Sequence, residues 1–135
     1  MNRGSADITR NIMQSLSLTF TQSEQMKREV GLDKSTNPQV AEVVSLSVEY
    51  ILSETNSIVL NYEKKYNKSI SKIILTGGGA LTKGLLARAT ENFRSEVIYG
   101  DSFGKTETPS FLAPILSASG PEFAVAVGLA LRELQ

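Results

Sequence analysis

The sequence predicts an α/β fold in which helices come first and a small, incomplete β-sheet follows. Apolar residues recur at helical spacing through the first half of the chain. Two short β-branched segments follow, at residues 71–76 and 97–99, with a helical segment between them. This strand–helix–strand order is typical of layered α/β proteins. Because two strands make a poor sheet by themselves, we expect the chain to be part of a larger domain with further strands.

The first two predicted helices are short. Residues 5–17 form the first, with Ser5 as its cap. Residues 21–31 form the second, where Thr21 and Glu24 match the spacing of a capping box.

The third predicted helix is long and covers residues 38–66. Pro38 suits the first helical turn, and Asn37 can cap it. These three helices make residues 1–69 a helical subdomain, and residues 70–135 form an α/β part that is packed with it as one unit.

The α/β part is predicted from alternating strand and helix signals. A buried strand at residues 71–76 leads into a helix at residues 81–92, and a second strand follows at 97–99. Residues 102–120 are expected to form a long connection, and the helix at 121–134 is apolar nearly all round.

Composition excludes several kinds of chemistry. The chain of 135 residues has no cysteine and no histidine, which removes disulfides, thiol nucleophiles, Ser-His-Asp triads and histidine-bound zinc. Fourteen basic residues balance fourteen acidic ones, which argues against a nucleic-acid partner. No stretch approaches the roughly 18 consecutive apolar residues of a membrane span, so no span is expected.

A glycine-rich turn is the strongest local signal. Gly77, Gly78 and Gly79 follow a predicted strand and precede a predicted helix, where free backbone N–H groups favour anions or polar ligand atoms. A nucleotide site is the functional interpretation, and a plain tight turn is the more common one. The turn is not a Walker A loop, because Lys83 comes before Gly84 rather than after it.

Two further groups are weaker candidates. Glu24 and Lys27 stand three apart on one helix face and could bond ribose hydroxyls and an adenine edge, although a solvated ion pair explains the same spacing. Asp7, Thr9 and Arg10 could contact a phosphate or metal-bound water, although ordinary capping and surface charge are the more common explanation of such residues.

Three blocks, in order, resemble the PilM family of bacterial actin-like ATPases, with FtsA as the nearest related family. They are the segments GSADIT at residues 4–9, SEQMK at 23–27 and LTGGGA at 75–80. The end of the chain, PEFAVAVGLALR at residues 121–132, is similar to PilM rather than to FtsA. One departure from the family pattern is that the opening block lacks its usual second glycine and reads Arg3-Gly4.

The resemblance implies a C-terminal fragment of an actin-like (ribonuclease H-like) ATPase domain, with the helical subdomain and part of the sheet of its second lobe. In such proteins ATP and magnesium lie between two lobes. By this resemblance Gly77, Gly78, Gly79, Glu24 and Lys27 would contact the nucleoside. No catalytic residue and no metal ligand is assigned, because both phosphate-binding hairpins are absent, and the fragment alone is expected to be inactive.

The resemblance also implies a role and a place in the cell. We expect a cytoplasmic protein at the inner face of the cell membrane, acting in type IV pilus assembly with pilus inner-membrane proteins. The incomplete sheet suggests that the fragment self-associates. Two alternatives remain open from the sequence: a fragment of an FtsA-like cell-division protein, and an interaction module without nucleotide function.

Overall fold

The computed structural model describes residues 4–133, which form two β-strands among helices. Two 3₁₀ turns, Gly78–Leu81 and Ser110–Leu112, lie between the larger elements. Those elements are α1 (Ser5–Leu16), α2 (Phe20–Val30), α3 (Pro38–Tyr66), β1 (Lys72–Leu75), α4 (Leu85–Asn92), β2 (Glu96–Tyr99) and α5 (Ala113–Glu133).

The two strands form a parallel pair. Lys72 of β1 lies opposite Glu96 of β2, and the register ends with Leu75 opposite Tyr99. The glycine turn and α4 connect them, as a parallel pair requires. The predicted α/β class is therefore confirmed. Within residues 4–133 the sheet consists of β1 and β2 alone, so each strand has one edge without a strand partner.

One hydrophobic core joins the helical part to the α/β part. Apolar residues of α1, α2 and the first half of α3 pack with residues of α4 and β2. The fully or nearly fully buried members are Ile8, Ile12, Val30, Val40, Ala41, Val44, Val48, Leu52, Ala89, Phe93 and Val97. The boundary at residues 69/70 therefore separates two kinds of secondary structure and not two cores; as a domain boundary it stays a prediction.

The start of α1 differs from its predicted cap. Gly4, and not Ser5, occupies the cap position, and its backbone N–H donates to the Asp7 carboxylate at 2.8 Å. Ser5 is already helical and turns its side chain toward α2, where its Oγ lies 2.8 Å from Lys27 Nζ.

The predicted capping box of α2 is wrong by two residues. The cap is Thr19, whose Oγ1 accepts from the Gln22 N–H at 3.3 Å, while its own N–H donates to Gln22 Oε1 at 3.0 Å. Glu24 therefore does not cap the helix, and its carboxylate accepts a hydrogen bond from Lys27.

The long helix α3 has the predicted bounds. The Asn37 side chain accepts from the Val40 N–H at 3.2 Å, with Pro38 in the first turn. Asn67 ends the helix in the left-handed conformation, at φ 50°.

The helix predicted at residues 81–92 begins four residues later, at Leu85. A 3₁₀ turn and Gly84, at φ +83°, come first, and this positive φ interrupts the helical path. Lys83 lies in that interruption, and its ammonium pairs with Asp33 at 2.6 Å.

The last helix starts eight residues before the predicted position. α5 runs from Ala113 to Glu133 with Pro121 in its interior, so residues 113–120 are helical and not part of a connection. Proline usually marks a helix start because it lacks an N–H, which is why the sequence favoured a start there. Here Gly120 and Pro121 are buried, and the Pro121 carbonyl accepts from the Gly77 N–H at 2.7 Å.

By length and composition, the helical stretch Ser110–Glu133 could cross a membrane. The count of consecutive apolar residues did not reveal this, because polar residues such as Ser117, Ser119 and Glu122 interrupt the stretch. A single such helix is weak evidence, since a core helix passes the same test. Pro121 of this stretch contacts Gly77, which attaches α5 to the glycine turn. The expected absence of a membrane span stays a prediction.

Candidate functional site: a groove between the glycine turn and helix α2

The three glycines of the turn occupy different structural environments. Gly77 has φ +86°, which favours glycine. Gly79 lies against α1, since a Cβ there would be 2.9 Å from Ser5 Cβ. Gly78 faces open space, where a Cβ would meet nothing closer than Glu122 Oε1 at 3.8 Å. The positive φ therefore belongs to Gly77 and not to Gly78.

Lys27 is buried, with a side chain only 5% exposed. Its ammonium nitrogen lies 2.8 Å from Ser5 Oγ, 2.9 Å from Thr9 Oγ1 and 2.7 Å from Glu24 Oε2. Three protons thus meet three oxygens within the protein. The interpretation of Glu24 and Lys27 as a solvated ion pair is wrong for the lysine, which links α2 to α1.

Glu24 is partly buried and has two differently bound oxygens. Oε2 accepts from Thr9 Oγ1 at 2.6 Å as well as from Lys27, whereas Oε1 faces Arg28 Nε at 3.3 Å. Burial alone would raise the pKa of this carboxyl, but the hydrogen bonds from Lys27 and Thr9 and the charge of Lys27 outweigh it. The pKa of Glu24 is consequently lowered, and the group is a carboxylate at neutral pH.

The glycine turn and α2 meet at a groove of about 190 Å³. Glu24 and Lys27 are thus brought beside Gly78, from which they are separated by more than fifty positions of sequence. The lining residues are Glu24, Lys27, Arg28, Gly78, Leu81, Thr82 and Glu122. Typical ligand pockets measure roughly 300–1,000 Å³. The groove is smaller than this range, so it could hold one part of a ligand but not the whole.

A larger cavity of about 400 Å³ lies on the other side of the same turn. All three glycines line it, but its remaining wall is mostly apolar, with Ile8, Val48, Ile51, Leu75 and Leu85. Among residues 4–133, no charged side chain lines this cavity. The smaller groove is therefore the better candidate for a polar ligand, because it holds the groups that could fix one.

Arg28 and Glu122 also line the groove, and sequence reasoning did not select them. Arg28 lies between two carboxylates, with Nε 3.3 Å from Glu24 Oε1 and Nη1 3.9 Å from Glu122 Oε1. The i,i+4 spacing of Glu24 and Arg28 was available as a signal. Glu122 had no local signal, because α5 brings it to the groove from far along the chain.

Residues 4–133 contain no group of three or more carboxylates that could hold a metal ion. No residue is therefore assigned as a metal ligand, and magnesium in the intact protein stays a prediction.

The fold is shared with a solved structure whose title is "PilM-PilN type IV pilus biogenesis complex". The match has a TM-score of 0.80 and covers 96% of this chain at 24% identity, so it defines the class as the actin-like fold expected from the sequence. This chain covers 36% of that chain.

The family follows from the sequence match. The family model described as type IV pilus assembly protein PilM matches residues 1–134, and the chain therefore belongs to this family of type IV pilus assembly proteins. This result favours PilM over the FtsA alternative. Among curated proteins, no sequence match is found.

Proposed function

We propose that this chain supplies the adenosine end of an ATP-binding site in a type IV pilus assembly protein. The observation that carries the proposal is the convergence of Glu24, Lys27 and Gly78 on one groove, with Gly77 and Gly79 shaping the same turn. A close backbone approach at the turn suits a flat ligand, because the groove side of Gly78 is open.

The charges of the groove favour the nucleoside over the phosphates. Glu24 and Glu122 offer carboxylate oxygens that accept hydrogen bonds from hydroxyl or amino groups. The same carboxylates repel phosphate, while Arg28 between them offers a planar cation. The phosphates of ATP, with their magnesium, would therefore lie away from this groove, on residues that the described chain does not provide.

We also propose a membrane-protein partner. The similar solved structure is named as a complex of PilM with PilN, which supports a PilN-like partner here. A place at the inner, cytoplasmic face of the membrane is proposed from the family resemblance alone. The balanced charge of the chain fits a protein partner better than nucleic acid. Calorimetric titration with the cytoplasmic segment of the PilN protein from the same organism tests this part; absence of heat at high micromolar concentrations would contradict it.

The test of the nucleotide proposal is calorimetric titration of ATP into the full-length protein and two variants. Gly78→Val should place a branched side chain in the groove while leaving the fold intact, because Gly78 has neither a positive φ nor a close neighbour. We expect a loss of about 2–4 kcal/mol, or about 30- to 1,000-fold in Kd. Lys83→Ala is the matched control, since Lys83 forms an exposed pair with Asp33 outside the groove, and it should cost about 0–1 kcal/mol.

Melting curves of both variants confirm that each is folded. Wild-type affinity in folded Gly78→Val would refute the groove as the adenosine site. Absence of ATP binding by the wild-type protein would instead favour the remaining alternative, an interaction module without nucleotide function.

A further inference from the structure

Thr9 is a buried hydroxyl at the centre of the α1–α2 contact. It is 0% exposed and does not line the groove. Its Oγ1 accepts from Lys27 Nζ at 2.9 Å and lies 2.6 Å from Glu24 Oε2, a much shorter contact than the 3.2 Å to the Ser5 carbonyl. Its single proton is therefore directed at Glu24.

The contacts of Glu24 are uneven. Its inner oxygen, Oε2, is held by two buried donors from α1 and α2, at 2.6 and 2.7 Å. Within the described part of the chain its outer oxygen, Oε1, contacts Arg28 alone, an exposed side chain that lines the groove. We propose that Thr9 and Lys27 are positioning residues, which fix the inner oxygen of Glu24 so that the outer oxygen meets a hydroxyl or amino donor of the ligand.

This inference rests on the proposed nucleotide site and changes the role of one residue in it. The Lys27 ammonium has no proton left for a ligand, because Ser5, Thr9 and Glu24 take all three. Lys27 therefore acts through Glu24 and through Ser5, which touches the turn at Gly79. A fixed acceptor binds more tightly than a mobile one, because no side-chain entropy is lost on binding.

The first test is a double-mutant cycle on ATP affinity in the full-length protein. Thr9→Val removes the hydroxyl at nearly constant volume, and Glu24→Gln removes the carboxylate. Each should weaken binding by at least about tenfold, the effect of one hydrogen bond to a charged group. If Thr9 acts through Glu24, the double variant should be about as weak as Glu24→Gln alone, since coupled residues are not additive.

Two controls separate positioning from general destabilisation. Thr9→Ser retains the hydroxyl and should restore most of the affinity. Ser23→Ala removes a different fully buried hydroxyl, on α2, which donates to the Thr19 carbonyl at 2.9 Å. Ser23 takes no part in the hydrogen bonds among Ser5, Thr9, Glu24 and Lys27. It should lower the melting temperature without changing ATP affinity.

A second test needs no ligand. The side-chain carboxyl of Glu24 is titrated by NMR in wild type and Thr9→Val, with Lys27 and Arg28 the facing charged groups and Glu122 beyond Arg28. Loss of the Thr9 hydrogen bond should raise the Glu24 titration midpoint, while Thr9→Ser should leave it near the wild-type value.

The outcomes distinguish the two proposals. If wild type binds ATP and Glu24→Gln weakens it, but Thr9→Val is additive or leaves the Glu24 midpoint unchanged, the positioning role is overturned and the nucleotide site stands. If wild type binds no ATP, the nucleotide site fails and the positioning role fails with it.

Discussion

Replacing Lys27 by methionine should strongly destabilise the fold, because the change removes the ammonium and keeps the length of the side chain. Three hydrogen bonds of 2.7–2.9 Å are lost with it, two to Ser5 and Thr9 of α1 and one to Glu24 of α2 itself. Breaking a buried ion pair costs about 3–5 kcal/mol. Glu24 is 31% exposed, so water can solvate part of its carboxylate and the loss is smaller than for a fully buried pair. We expect a decrease of about 2–4 kcal/mol in the free energy of unfolding.

The matched control is Arg28→Met, one residue further along α2. Arg28 also pairs with Glu24, but its side chain is 66% exposed. Exposed pairs contribute about 0–1 kcal/mol, so this variant should remain close to wild type. Both substitutions remove one positive charge and introduce the same side chain, which leaves burial as the difference between them.

The assay is urea unfolding followed by circular dichroism, at protein concentrations low enough that self-association does not contribute. Equal slopes in wild type and variants show that the midpoints report stability. Losses that are equal for Lys27→Met and Arg28→Met would refute the assignment of Lys27 as a buried link between the helices.

Three further predictions concern the turn, the sheet edges and activity. Gly79→Ala should destabilise the protein by about 1–3 kcal/mol, because its Cβ would lie 2.9 Å from that of Ser5, whereas Gly78→Ala should be nearly neutral; melting curves of the pair check this. The unpaired edge of Lys72–Leu75 should make the chain self-associate, and a monomer mass by light scattering at high concentration would count against this. The chain alone should not hydrolyse ATP, because phosphoryl transfer needs positioned phosphates and magnesium; steady magnesium-dependent phosphate release above a denatured control would disprove it.

Local signals predicted the elements that depend on local chemistry. The bounds of α3 could be predicted because Asn37 and Pro38 mark its start and a basic turn with Asn67 marks its end. The strand and glycine turn were found because a β-branched segment before three glycines has few other interpretations. α5 was mispredicted because Pro121 is stabilised inside the helix by burial against the glycine turn, a tertiary contact that no local pattern contains.

The site was only partly predictable for the same reason. The pairing of Glu24 with Lys27 follows from their spacing, but the burial of Lys27 does not. That burial depends on Ser5 and Thr9, which reach it from α1 and have no pattern linking them to α2. Glu122 arrives from α5 and had no signal at all.

The chemical-shift map of ATP binding is the most direct test of the central claim. ATP is titrated into the ¹⁵N-labelled full-length protein, and the backbone amide shifts are followed residue by residue. We expect the largest changes to cluster at Gly78, its neighbours in the turn, Glu24 and Arg28, with no change at Tyr62 on the far half of α3. Saturable changes that leave the turn and α2 unaffected, or no change at millimolar ATP, would contradict it.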